Sequence, residues 1–450
     1  MLTPNTITAE YLAEISSRQV QAAELVDLAH RAIDLAATSY AGRCLTRPVF
    51  LDRAELAVLS EDLIQLHAAL TGAPDRLFGG DLAGFARAVG MTEPQVTAIM
   101  RGSGQAPTRL CRADIYRDSV SYQVMEVNMG STVGGLDNAL LNEAFLTHPV
   151  VADFVADRNL AHIDTMGAMA DTLRAECEIP AGESPLIVAA DWPESYLDLE
   201  DQLRYSAEQL AGYGLEVHAC HLGQLSVRDG HVWLEGQARP VDVIYRVFLI
   251  EDLLAPQAAE LIDPVLRAVE RGEVKLFTPL DAELYGSKGV LALVSDEANR
   301  QHYSDAELAS LDRILPWTRM MRPGPVTVAG EQVDIMEYAI AERADLVLKP
   351  TALHSGIGVV LGWLAEPAEW RSRLTAALQQ PYVLQRRIRP LTEPFPAEGG
   401  GLEPWVLGWG AFLTAAGYGG AIVRGSTDPD IAVMNMPGGA TATCCFHAQP

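Results

Sequence analysis

Residues 185–280 alternate short apolar runs with amphipathic ones, and this alternation restricts the fold more than any other feature of the chain. "SPLIVAAD", "LEVHACH", "VDVIYRVFLI" and "VKLFTPL" read as strands bounded by turn residues. "PESYLDLEDQLRYSAEQLAGYG" and "PQAAELIDPVLRAVERG" carry apolar residues at three- and four-residue spacing and read as helices, the first ending at Gly214. "LSVRDGHVWLEG" reads as a hairpin turning at Asp229-Gly230. Strands separated by helices return to one sheet through crossovers, so a small three-layer α/β unit with parallel strands is expected. The unit has no G-x-G-x-x-G, which argues against dinucleotide binding.

The flanking segments have other textures. Residues 1–105 read as a helical N-terminal region. Within it, "DLAGFARAVGMTEPQVTAIMRG" reads as a helical hairpin with Gly90 near its turn, and not as a DNA-reading pair. The reason is charge: 33 basic against 59 acidic residues leave a net −26, which disfavours nucleic acid and anionic membranes. Residues 106–184 open with two alternating runs, "RLCRADIY" and "SYQVMEVN", then continue as helix to about 178 and break at "EIPAGESP". After the α/β unit (185–284), residues 285–450 read as α+β. They hold a helical stretch at 288–320, strands "DLVLKP", "GVVLGW" and "YVLQRRI", a mobile loop "EPFPAEGGGLEP", and Gly-punctuated strands. Six cysteines without C-x-x-C fit reduced thiols and argue against a zinc site or disulfide frame. With no basic start ahead of an apolar core and no apolar run of membrane-spanning length, a soluble cytoplasmic chain is expected.

Five constellations can carry chemistry. Residues two apart on a strand share a face, so Arg112 and Asp114 lie on one side, as do Glu126 and Asn128. A turn near Ser119 or Val120 sets Glu126 opposite Arg112 or Asp114. The gathered face then suits either a hard cation such as Mg²⁺ or a solvated cross-strand Arg–Glu pair. Lys349 ends an apolar strand ahead of a loop with Gly356 and Gly358. A lysine there can neutralise a phosphate, and the glycines let backbone N–H groups approach it, yet a hairpin with a glycine turn looks alike. "YVLQRRI" carries Gln385 followed by backbone groups that suit an adenine edge or a plain edge strand. Arg424 follows "AIV" on one strand, with Asn435 on the next, and a buried arginine there needs an anion. Lys288 sits just before a helix.

Taken in chain order, these residues resemble the ATP-grasp ligases. They resemble more narrowly the circularly permuted branch that includes glutathionylspermidine synthetase. "RAD" and "MEVN" come first, then "GSKGVLAL", "LVLKP", "YVLQ" and "VRGS…MNMPGG". The resemblance spans about 105–445 and implies a permuted ATP-grasp fold, α/β and α+β, with the small three-layer unit as its pre-ATP-grasp-like domain. On that resemblance Asp114, Glu126 and Asn128 hold Mg²⁺ on the ATP phosphates, and Arg112 and Arg424 are catalytic. Lys288, Lys349, Gln385, Ser355, Gly356 and Gly358 bind ATP, with the loop 354–358 closing over the triphosphate. Ser131, Thr132, Asn138 and Arg246 contact substrate. The loop "ALHSGIGV" lacks the acidic residue expected near its glycines, and "ATATCCFHAQP" has no counterpart; both departures concern substrate contacts.

The implied activity is ATP- and Mg²⁺-dependent joining of a small carboxylic acid to an amine through an acyl phosphate, with no nucleic-acid or membrane partner and no indicated oligomer. The alternatives are a phosphotransferase on the same fold and a non-catalytic nucleotide-binding scaffold.

Overall fold

The computed structural model describes residues 6–21, 23–25, 27–28, 43–180, 182–353, 356–397, 399–428, 430–431, 434–436 and 438–449, without the side chain of Thr132. Three sheets of four or more strands carry the architecture. The largest has eight strands, in the order Val49–Leu51, Thr441–Ala448, Gly417–Ser426, Leu402–Thr414, Cys111–Arg117 and Tyr122–Met129. Thr392–Pro396 pairs onto Leu402–Thr414, and Leu160–Ala161 onto Thr441–Ala448.

The second sheet is the anticipated α/β unit. Lys275–Phe277, Val243–Arg246, Leu186–Asp191 and Glu216–His221 run parallel in that order. Its middle strand Leu186–Asp191 is buried at every position, as a strand covered by helices on both faces must be. Helix Pro193–Ala211 starts on a proline at its first position, where no N–H is needed, and ends at Ala211, three residues before Gly214. The hairpin Leu225–Arg228/His231–Leu234 turns at Asp229-Gly230, both with positive φ, as read from the sequence.

The third sheet is antiparallel: Thr318–Met320, Tyr382–Arg386, Leu346–Pro350, Val360–Leu361. Here three expectations are corrected. The helical stretch at 288–320 breaks into Lys288–Val294, a 3₁₀ segment and Asp305–Ile314. Pro316 disfavours helical backbone at Leu315, and the chain re-emerges as a strand at Thr318. "GVVLGW" shrinks to a two-residue strand. "YVLQRRI" is an interior strand with partners on both sides, so the edge-strand reading falls.

Two further readings change. Residues 1–105 are not helical throughout: Val49–Leu51 joins the large sheet in parallel with Cys445–His447, and a three-residue strand is too short to show alternation. "EPFPAEGGGLEP" is mostly a hairpin, with Pro394 and Pro396 tolerated because Thr392–Pro396 is an edge strand. Helix Arg53–Thr71 is fixed by a capping box at Asp52 and Glu55, and Glu55 also pairs with buried Arg117 at 2.6 Å. That contact ties the N-terminal helix to the hairpin Cys111–Arg117/Tyr122–Met129.

Candidate active site

The hairpin faces the third sheet across a cleft of about 340 Å³. Its register sets Asp114 opposite Glu126 and Arg112 opposite Asn128, so the four polar side chains gather as alternation requires. Arg112, Asp114, Glu126, Asn128, Lys288, Lys349, Gly356 and Arg424 all line this one space.

Asp114 is its electrostatic centre. Oδ1 accepts from Arg112 Nε at 2.8 Å and Arg424 Nη2 at 3.0 Å; Oδ2 accepts from Arg112 Nη2 at 3.1 Å and Asn128 Nδ2 at 3.2 Å. A carboxylate has about four acceptor positions, and all are taken. Burial pushes the Asp114 carboxyl up, but the Arg112 and Arg424 guanidinium groups outweigh it and hold the acid below the usual range. Arg112 Nη1 donates onward to the Gly134 carbonyl at 2.7 Å. Arg424, expected to meet an anion, meets Asp114.

Glu126 takes Lys288 Nζ at 2.8 Å and keeps 32% of its side chain exposed. Burial raises its carboxyl, yet the Lys288 ammonium wins and the net shift is downward. Lys288 begins its helix behind the Ser287 cap, and its own N–H donates to Thr351 O at 2.9 Å. Lys349 Nζ reaches across the cleft to Met125 O at 3.3 Å and donates to Gln385 Oε1 at 2.7 Å. Burial depresses Lys349 to about 8, with Glu126 opposing and Lys288 reinforcing the fall.

Several expected contacts are redrawn. Gln385 is buried and holds Lys349, and the backbone N–H groups that follow it are occupied: Arg386 donates to Trp317 O and Arg387 to Asp345 O. Arg246 is fully buried and spends its guanidinium on Glu283 and on the carbonyls of Phe248, Thr278 and Pro279, so it braces the α/β unit instead of meeting substrate. Asn138, 2% exposed, donates inward to Ala421 O. Ser131 lies outside the cleft, against a neighbouring chamber. Gly356 lines the cleft and Gly358 has φ +77°, where a Cβ would press on the Tyr382 hydroxyl. Ser355 and the Thr132 side chain lie outside the described residues. Asn435 stands in a turn, not on a strand, and its Oδ1 accepts from Gly438 N at 2.6 Å.

Sequence reasoning missed Tyr116, Met125, Gly408, Gly410 and Met434. Of these, Tyr116, Met125, Gly408 and Met434 line the cleft. The signal was "GWG" inside an apolar strand: alternate glycines mark a close approach on one face. A Cβ on Gly410 would stand 2.7 Å from Arg112 Cδ, and one on Gly408 3.0 Å from Met434 Sδ.

The donors also bear on Mg²⁺. Two carboxylates and an amide oxygen are hard ligands, and no group of three or more His, Cys, Asp or Glu able to hold a metal occurs among the described residues. The set fits a cation that takes its other ligands from water and phosphate oxygens. The fit requires one donor to leave Asp114. Turning the Asn128 amide does this, replacing Nδ2 with the Oδ1 acceptor.

The mixed α/β fold is one that solved structures share. No family model and no curated protein matches the sequence. The structure is similar to that of a glutathione synthetase-like effector from Globodera pallida, with TM-score 0.58 and 13% identity, covering 99% of this chain and 98% of that one. A candidate gamma-glutamylcysteine synthetase from Methylobacillus flagellatus is more distant, with TM-score 0.44, 12% identity and 87% of each chain covered.

Proposed function

We propose that the chain is an ATP- and Mg²⁺-dependent ligase that joins a small carboxylic acid to an amine, on a circularly permuted ATP-grasp fold. One observation carries the reading: four cationic side chains from four separate segments converge with Asp114 and Glu126 in a single cleft between two sheets. A cleft of that charge suits a triphosphate and a carboxylate held together, which otherwise repel.

In this reading Lys288 and Lys349 take the ATP phosphates, and the Gly356–Gly358 turn approaches them closely with its backbone. Arg112 and Arg424 orient the carboxylate whose oxygen attacks the γ-phosphorus, releasing ADP and leaving an acyl phosphate. The amine then attacks the acyl carbon, the C–O bond to phosphate breaks, and inorganic phosphate leaves as the nitrogen loses a proton. Arg112 faces the oxyanion of that step, where a fixed guanidinium lowers the barrier without reorganising. Mg²⁺ held by Asp114, Glu126 and the Asn128 carbonyl oxygen would supply charge neutralisation at the phosphates.

Incubation with Mg·ATP, mixed carboxylic acids and hydroxylamine tests this. The expected products are acyl hydroxamates and ADP in equal amounts. A stable phosphorylated product without hydroxamate would point to phosphotransfer instead. ATP binding without any ADP release would point to a nucleotide-binding scaffold, which the full occupancy of Asp114 favours as the second reading.

A further inference from the structure

Lys349 is held from both sides of the cleft. Its Nζ donates to Gln385 Oε1 at 2.7 Å within its own sheet and to Met125 O at 3.3 Å on the opposing hairpin. An ammonium has three N–H donors, so one is left for a ligand oxygen in the cleft that Lys349 lines. With two donors held, the ammonium cannot turn freely, and the third keeps a fixed direction before any ligand arrives.

What fixes Gln385 lies one strand further away. Pairing sets Gln385 opposite Thr318 on one side and Val347 on the other, and Lys349 is two residues from Val347. Thr318, Gln385 and Lys349 therefore share one face of the third sheet. Thr318 is fully buried, and its hydroxyl donates to Pro316 O at 2.8 Å. With that proton spent, Thr318 Oγ1 can only accept, and it accepts from Gln385 Nε2 at 3.2 Å. A lysine ammonium can only donate, so the other end of the amide must offer oxygen. The two neighbours thus demand the same amide orientation independently. Turned over, the amide would set NH2 against the ammonium and oxygen against a hydroxyl whose proton is taken. Gln385 is 2% exposed, so water could not relieve either mismatch.

On the part of the ligase reading that sets ATP phosphate at Lys349, we propose that Thr318 and Gln385 are positioning residues for the triphosphate. Neither lines the cleft. The Thr318 hydroxyl orients the Gln385 amide, and the amide holds the Lys349 ammonium for the phosphate oxygens.

Calorimetric titration with Mg·ATP tests this apart from turnover. Thr318→Val keeps the shape, removes the hydroxyl and frees the amide to turn, so Mg·ATP should bind about tenfold more weakly. Thr318→Ser keeps the hydroxyl and should bind within about threefold of the parent. Gln385→Met should itself weaken binding about tenfold, which gives a reading even if Thr318→Val does not fold. Adding Thr318→Val to Gln385→Met should weaken binding no further, because the hydroxyl acts only through that amide; a residue that merely supports the sheet would add its own loss. Parent-like affinity in Thr318→Val or Gln385→Met, no recovery in Thr318→Ser, or a further loss in the double variant overturns the proposal and leaves the ligase reading standing. A parent that binds no Mg·ATP overturns both. If the variants behave as expected and hydroxamate never forms, the ligase reading alone fails.

Discussion

Arg424 Nη2 donates to Asp114 Oδ1 at 3.0 Å across 310 residues of sequence, and closes the set of donors that fills this carboxylate. Arg112 is only two residues from Asp114 and reaches along the strand to grip both oxygens. The contact joins the strand Gly417–Ser426 to the strand Cys111–Arg117, which lie two places apart in the large sheet with Leu402–Thr414 between them.

Removing Asp114 should therefore cost more than removing either arginine. Asp114→Ala leaves two largely buried guanidinium groups without their anion, a loss of about 3–5 kcal/mol. Arg424→Met leaves Asp114 its bidentate Arg112 partner and should cost about 1.5–3 kcal/mol. Urea melts of the two variants give the ranking; an Asp114→Ala protein as stable as Arg424→Met would show that the arginines find other partners.

Gly410→Val should disable the site from beneath. A Cβ there would lie 2.7 Å from Arg112 Cδ and 2.8 Å from Ile422 Cγ2, so Arg112 must leave its grip on Asp114. Overpacking of this kind costs about 1–3 kcal/mol. The expected result is a lower melting temperature together with loss of hydroxamate formation. Retained activity would remove Arg112 from the catalytic set.

The hairpin was the most legible part of the site because its information is local. Period-two alternation put Arg112 with Asp114 and Glu126 with Asn128, while the turn left Glu126 opposite either Arg112 or Asp114, and the register decides for Asp114. Arg246 was misread for the opposite reason. Its sequence context marks a strand, but the Glu283 carboxylate that satisfies it lies 37 residues away on a later helix. Gln385 likewise reads as a free polar side chain until Leu346–Pro350 pairs beside it and brings Lys349 within 2.7 Å. Parallel pairing of Val49–Leu51 with the C-terminal strand left no sequence signature, since three apolar residues fit helix, strand or loop equally well.

Glu126→Gln separates site from scaffold. Its side chain is part-exposed to the cleft, so the fold should keep a melting temperature close to the parent's, while ligase turnover should fall by about a hundredfold or more. Parallel measurement of melting and ADP release checks this. Unchanged turnover would remove Glu126 from the phosphate-facing set.

Lys349 gives a pH signature. Burial depresses its ammonium to about 8, so it is charged at neutral pH and loses its proton as pH rises through that value. A triphosphate favours the charged form and raises this value on binding. Proton uptake should therefore accompany ATP binding between the free and bound values, and ATP affinity should fall above about pH 8. Calorimetry at about pH 9 in two buffers of different ionisation enthalpy measures the uptake. Lys349→Met should abolish it; a flat pH dependence in the parent would place the triphosphate away from Lys349.

Gly90 links the N-terminal helices to the two lysine segments. It sits at φ +99° between the helices Leu82–Ala88 and Glu93–Arg101, and a Cβ there would stand 2.6 Å from Thr351 Oγ1 and 2.8 Å from Pro381 Cβ. Thr351 is two residues past Lys349, and its carbonyl accepts the Lys288 N–H at 2.9 Å. Displacing Thr351 therefore shifts both lysines at once. Gly104 supplies the control: its φ is +101°, and no atom lies within 4 Å of its Cβ position. Both alanine variants carry the same backbone strain, about 1–2 kcal/mol, but only Gly90→Ala adds the collision. Gly90→Ala should thus lose more stability than Gly104→Ala and alone weaken Mg·ATP binding. Equal losses in the two variants would mean that the helical hairpin merely covers the site.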